Sequence, residues 1–310
     1  MQTATASRGR AKLGFKPVEL SIVAGGTARL TMPELAAIRK ESFDSFPKRL
    51  SPQLLRHSDD QTLAALVAVS EAIKSANLKN HGFQDWAIVS SSRNLGRSAF
   101  AAVIDKYRSE GPWGVSVQVI PHCTAHAVAG TISLALASHG PCIGAGGDTD
   151  GEVEALFSTA CILRNPDWFG AWIVFSSWLP ELEIDSSGRP AADSTCFAAA
   201  IAVTRQWSPS SLGRICFDAP GAGDDVPDDL ERRASSTSFA EFLSGGGVNS
   251  RTWVRHETRT LRVRVELTGD RWREPVQLSS TAAKNLFDKS GDGSRSHTRL
   301  TSLVGNRIIG

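Results

Sequence analysis

The chain has 310 residues, long enough to bury a large core in one sizeable domain or two small ones. Hydrophobic residues make up 41% and charged residues 21%, and the net charge is only +2, so neither disorder nor an electrostatic nucleic-acid or membrane partner is indicated. Five scattered cysteines (Cys123, Cys142, Cys161, Cys196 and Cys216) form no CxxC pair, which argues against a disulfide framework or a zinc cluster and for a reducing, cytoplasmic setting.

Residues 1–17 carry Arg8, Arg10, Lys12 and Lys16 with no acid and no following apolar run, and read as a flexible basic tail rather than a signal sequence. No apolar segment approaches the length of a membrane span, so membrane insertion is not expected. Residues 18–24 predict a first strand closed by Gly25-Gly26. The segment around Phe46-Pro47 and Pro52 should be irregular. Residues 58–78 place Leu63, Leu66, Val67, Ala68, Ile73 and Leu78 at helical spacing after a Ser58 or Asp59 cap, and predict an amphipathic helix.

Trp86-Ala87-Ile88-Val89 predicts a short buried strand running into Ser90 to Asn94, and 97–108 a helix. Val115 to Ile120 alternates as a strand that Pro121 breaks, and 124–138 is a helix of small apolar residues. Gly140-Pro141 leads into Cys142-Ile143-Gly144-Ala145-Gly146-Gly147, and a helix of about 15 residues opens near Asp148-Thr149-Asp150 with Val153, Leu156, Phe157, Ala160 and Leu163 inward. Strands follow at 171–176 and 197–204. Buried strands alternating with helices predict an α/β domain over 18–207 whose mixed sheet is covered on its faces. Residues 208–310 read as an acidic linker (six acids and no base over 218–231) plus a small C-terminal appendage. A short helix is predicted at 236–243, ended by Gly245-Gly246-Gly247, and the alternating strand Leu261–Leu267 follows. From 251 onward twelve Lys/Arg face six Asp/Glu, and the last 25 residues are polar.

The order of strand, proline, small-residue helix, Gly-Pro turn, glycines, elbow, helix and buried strand resembles the N-terminal half of the β-ketoacyl synthases, within the thiolase-like superfamily. The residues that carry the resemblance are Ile120-Pro121, His126 to Gly130, Ser133, Gly140-Pro141 and Ser176 to Glu181, with Ser90 to Arg97 matching the small-residue stretch after the second strand. It covers residues 18–204 and is nearest to short single-half forms, such as the chain-length-factor-like proteins of aryl polyene clusters. The resemblance implies a thiolase-like half domain. Its expected role is a non-condensing subunit in fatty acid, aryl polyene or polyketide assembly, with a catalytic ketosynthase or a second copy as partner, an acyl carrier protein as client and no cofactor.

In condensing members of that family a cysteine stands nine residues after the glycine of the Gly-Pro turn, on a strand-to-helix elbow where the helix N-terminus favours the thiolate. Here that position is Thr149, flanked by Asp148 and Asp150. A threonine hydroxyl is a poor nucleophile without a base, and two carboxylates would raise the pKa of any thiol placed there. Ser158-Thr159-Ala160-Cys161 spells the family's nucleophile tetrad but lies twenty-one residues past Gly140, where Cys161 reads as a buried structural thiol beside Phe157. No second repeat follows to supply the family's partner histidines.

His126 stands where the family has asparagine and is expected near Thr149; His122, Gly146 and Gly147 are expected to line the cleft. An alternative chemistry would use Thr149 or Asp150 with His126 as base, giving an acyl-thioester hydrolase or acyltransferase; a non-catalytic scaffold is the second alternative. His122 and His126 have the spacing of a helical metal pair but lack a third ligand other than Cys123, so no metal is expected. The C-terminal arginines suit an acidic carrier protein or a solvated strand face equally.

Overall fold

The computed structural model describes residues 17–40, 42–116, 119–146, 149–180, 194–218, 238–244, 251–258, 261–268 and 276–277. The basic tail through residue 16, residues 117–118, Gly147, Asp148, residues 181–193 with Glu181, the acidic stretch after Asp218, Gly245 to Gly247 and the polar C-terminus lie outside them. The chain divides into two compact units, Met1–Gln277 and Leu278–Gly310, and the second lies wholly outside the described residues.

One nine-stranded sheet organises the first unit, in the order β3-β2-β4-β5-β1-β6-β8-β7, with β9 beside β1. Strand β2 (Trp86–Ser92) lies parallel to β3 (Cys142–Gly146) and β4 (Gly170–Leu179). Strand β5 (Thr195–Thr204) is antiparallel to β4 and to β1 (Val18–Thr31), so the sheet is mixed. The strand expected over Leu261–Leu267 is present as β8, and with β6 (Gly213–Asp218) and β7 (Arg251–Thr258) it extends the same sheet by antiparallel pairing. Strand β9 (Val276–Gln277) pairs parallel with Ala28 and Arg29.

Strand β1 does not stop at Gly25-Gly26 but runs through them. Gly26 serves packing instead of turning: a Cβ on it would stand 2.4 Å from the Ala68 carbonyl oxygen and 2.6 Å from the Ala72 nitrogen. Both atoms belong to α3 (Asp60–Ser75), which this absence of a side chain lets onto the sheet. Asp59 caps α3, accepting from Gln61 N at 2.9 Å. The helix is less amphipathic than expected, with every residue from Gln61 to Ser70 buried. Its outer face is covered as well: buried Ser45, in the chain before α2 (Pro52–His57), hydrogen-bonds Ser70 at 2.6 Å. Pro52 does not keep its surroundings irregular. It opens α2 with Ser51 as cap, a position where proline's missing N–H costs nothing.

On the same face, α6 (His126–Leu136) packs on β2 and β3. The opposite face is covered by α7 (Thr149–Ile162) and α8 (Phe239–Ser244), which with Leu20, Ile22, Val89, Ile173, Phe175 and Phe197 form one apolar core. The layers are therefore helix, sheet, helix, a thiolase-like α/β arrangement. Two local expectations are corrected. Residues 119–123 form a short helix, α5 (Val119–Cys123), instead of ending a strand; Pro121 sits in its first turn, where its ring is tolerated. Cys161 is exposed rather than buried, because α7 turns Val153, Ala155, Leu156, Thr159 and Ala160 inward and Cys161 falls on the other side.

Candidate functional site

In parallel α/β sheets, ligands gather outside the carboxyl ends of the strands. At that end β3 finishes at Gly146 and α7 starts at Thr149, and the two residues between them, where the sequence expects an elbow, lie outside the described residues. Gly144 allows the approach of α6: its Cβ would sit 2.1 Å from the Ala125 carbonyl oxygen and 2.7 Å from His126 N. Gly151, in the first turn of α7, is held tightly too, with a would-be Cβ 2.9 Å from the Gly146 carbonyl oxygen and 3.0 Å from Ser91 Oγ.

Of the expected site residues, Gly146, Thr149 and Asp150 meet at the elbow: Gly146 is exposed and ends β3, Thr149 supplies the first helical residue, and Asp150 is exposed. Gly147, Asp148 and the Thr149 side chain lie outside what the structure describes. The two histidines do not share a helix, because α5 ends at Cys123 and α6 begins at His126. His122 stacks on His57 of α2, with ring centroids 6.1 Å apart. His126 turns its ring toward Cys142, at 3.9 Å, beside the start of β3. That strand rises about 3.3 Å per residue. Burial pushes the Cys142 thiol up to about 11, so this contact does not make a thiolate at neutral pH.

Sequence reasoning missed the polar residues that fill the carboxyl ends of β2 and β4. Gln61, Ser92 and Ser176 are buried. The Ser176 hydroxyl donates to Gln61 Oε1 at 3.0 Å and its oxygen lies 2.8 Å from Ser92 Oγ, while Gln61 Nε2 donates to the Arg93 carbonyl at 2.8 Å. A hydroxyl has one proton, so Ser176 shares it between Gln61 Oε1 and Ser92 Oγ. The chain ties α3 to both strands and leaves Ser176 no proton to give a substrate. The signal available in sequence was the polar run Ser90-Ser91-Ser92 inside an otherwise apolar strand.

On the α7 side, Ser91, Arg93, Glu152, Ser176, Ser177, Leu179, Ser238 and Glu241 surround a cavity of about 20 Å³. That is room for roughly one water molecule, not an acyl chain. Glu152, in the first turn of α7, accepts from Phe239 N at 2.5 Å and Ala240 N at 3.4 Å, joining the elbow helix to the start of α8. Ser238 and Glu241 cap α8 reciprocally: Glu241 N donates to Ser238 Oγ and Ser238 N to Glu241 Oε2, each at 3.0 Å. The acidic residues here are thus committed to backbone N–H groups. Among the described residues, no group of three or more His, Cys, Asp or Glu side chains is arranged to hold a metal, and no helix is long and apolar enough to cross a membrane.

No protein-family model matches the sequence, and no curated protein matches it. Solved structures do. One is a type II polyketide synthase acyl-carrier protein in complex with its ketosynthase bound to the hexaketide (12% identity, 82% of this chain, 100% of that chain, TM-score 0.50). Another is the ishigamide ketosynthase/chain length factor (14% identity, 81% and 99%, TM-score 0.49). A third is a ketosynthase in complex with its chain length factor from Xenorhabdus doucetiae (13% identity, 80% and 99%, TM-score 0.46). At these identities the likeness is one of fold: the chain has the thiolase-like fold of the ketosynthases.

Proposed function

We propose that the chain is a non-condensing, chain-length-factor-like subunit that assists a catalytic ketosynthase in fatty acid, aryl polyene or polyketide assembly. One observation supports this reading: α7 opens three residues after the end of β3, and its first helical residue is Thr149 followed by Asp150, where a condensing enzyme would need a cysteine. Condensation requires a nucleophile that leaves readily, and a threonine alkoxide is both harder to form and a poorer leaving group than a thiolate. The His126 ring engages Cys142, which gives the hydrolase and acyltransferase readings no support.

The partners that follow from this role are a complete ketosynthase and an acyl carrier protein. Support comes from the solved assemblies that share the fold, which pair ketosynthases with a chain length factor or a carrier protein. The test is co-expression with ketosynthases that lack a matched subunit. The reading predicts co-purification in fixed stoichiometry and a product chain length that changes with this subunit; a chain that binds none of them, or leaves product length unaltered, contradicts it.

A further inference from the structure

The packing of α6 on β3 brings two metal-ligating side chains together. Alternation along β3 puts Cys142 on the same face as Gly144, whose missing side chain lets the start of α6 close in. His126 is the first residue of α6, and Gly130 lies one turn further along the same face. A Cβ added at Gly130 would stand 3.4 Å from His126 Nε2 and 3.5 Å from its Cδ2, so the ring lies over that glycine. These approaches leave Nε2 3.9 Å from Cys142 Sγ. His126 is exposed and Cys142 half-buried, so a dissolved ion can reach both.

At 3.9 Å the contact is long for a hydrogen bond. Thiolate–metal and imidazole–metal bonds of about 2.3 Å and about 2.0 Å sum to about 4.3 Å, so one ion bonds both atoms without any shift of the backbone, at an angle of about 130°. That angle is wider than the tetrahedral value of about 109° and suits an ion of low coordination number completed by one exogenous ligand. Among the described residues no third His, Cys, Asp or Glu joins the pair, which disfavours zinc and its four ligands. Charge selects further. Burial pushes the Cys142 thiol up to about 11 and so opposes a bare thiolate; a monovalent cation makes the complex neutral, whereas a divalent one leaves a net positive charge. Thiolate is a soft donor of the kind that selects Cu(I), and imidazole also suits copper.

We propose that Cys142 Sγ and His126 Nε2 chelate one soft monovalent cation, Cu(I) or its analogue Ag(I), at the junction of β3 and α6. Binding exchanges the thiol proton for the cation and transfers no electron. His126 stays neutral, with its proton on Nδ1 and the Nε2 lone pair on the metal. The inference concerns this pair alone and stands independently of the role proposed above.

The test is an anaerobic Cu(I) titration of the full chain in competition with bicinchoninate, in a Cys161→Ser background that removes the exposed thiol. One Cu(I) per chain should be retained, and His126→Ala should weaken its binding by about tenfold or more while leaving the circular dichroism spectrum unchanged. Cys142→Ser should abolish retention, and His122→Ala, whose ring stacks on His57 instead, should leave it unaltered. In the chain isotope-labelled at histidine nitrogen, Ag(I) should shift the His126 Nε2 resonance. Retention that is indifferent to His126→Ala overturns the inference, because a thiol alone then accounts for it. Failure to retain Cu(I), zinc bound as tightly as Cu(I), or an Nε2 resonance that Ag(I) leaves unmoved overturns it as well.

Discussion

Helices α3 and α7 cover opposite faces of one sheet, start at the same end of it and both open on acidic residues. Their first turns use those residues differently. At α3 the carboxylates serve their own neighbourhood: Asp59 caps the helix and Asp60 pairs with Arg39 at 2.6 Å, while Arg39 also binds the carbonyls of Leu55, Arg56 and Ser58. At α7 Glu152 reaches out to the start of α8 and so couples the elbow to another element. The difference teaches that an acidic helix start is not by itself a catalytic feature here. Asp59, Asp60 and Glu152 all act structurally, as caps or anchors.

The sharpest break of that comparison is Gly26→Ala. The new methyl would collide with backbone atoms of α3, which cannot swing aside as a side chain could, and a loss of about 3 kcal/mol is expected in denaturant unfolding. Gly151→Ala on the α7 side meets a serine hydroxyl as well as backbone and should cost less. Next in size is Glu152→Ala, which removes the acceptor for Phe239 N. Because Phe239 is buried against Phe175 and Trp253, the α8 anchor loosens, and about 2 kcal/mol should be lost.

Asp59 supplies a pH-dependent test. Burial, opposed by its hydrogen bond from Gln61 N and by Arg39 and aided by Asp60, raises its pKa from 3.8 to about 6. The folded state then binds the proton more tightly than the unfolded one. The contribution of this group to stability is therefore fullest below pH 3.8 and falls as pH rises to about 6. Asp59→Asn keeps a capping oxygen without the charge, so it should stabilise the protein above pH 6, by up to roughly 3 kcal/mol at 1.36 kcal/mol per pH unit, and have little effect near pH 3.5. Thermal unfolding across that range reads the difference; a gain that is the same at both ends would contradict the account. The smallest effect is chemical: a maleimide should modify exposed Cys161 rapidly without altering stability, while buried Cys196, whose thiol is raised well above its ordinary value, reacts only on unfolding.

Much of this architecture could be read from the sequence. Strands β4 and β5 are continuous apolar runs, β8 alternates strictly, and α3, α6 and α7 carry helical spacing that no competing pattern obscures. The misreadings have physical causes. Gly25-Gly26 looked like a turn because the helix residues that press on Gly26, Ala68 and Ala72, are distant in sequence. Pro121 looked like a strand breaker because a first-turn proline and a terminating proline are locally alike. Strands β6 and β7 had buried Ile215, Phe217 and Trp253 as clues, but their pairing is set by distant partners. At the site, the elbow's place in the chain was legible from spacing. The Gln61, Ser92 and Ser176 network was not, since it joins residues up to 115 apart.

The most direct test of the central claim is intact-mass spectrometry of the chain co-purified with its ketosynthase after exposure to an acyl thioester. The account predicts the acyl mass shift on the ketosynthase and none on this chain. A stoichiometric acyl adduct on this chain, mapping to Thr149 or Asp150, would contradict it.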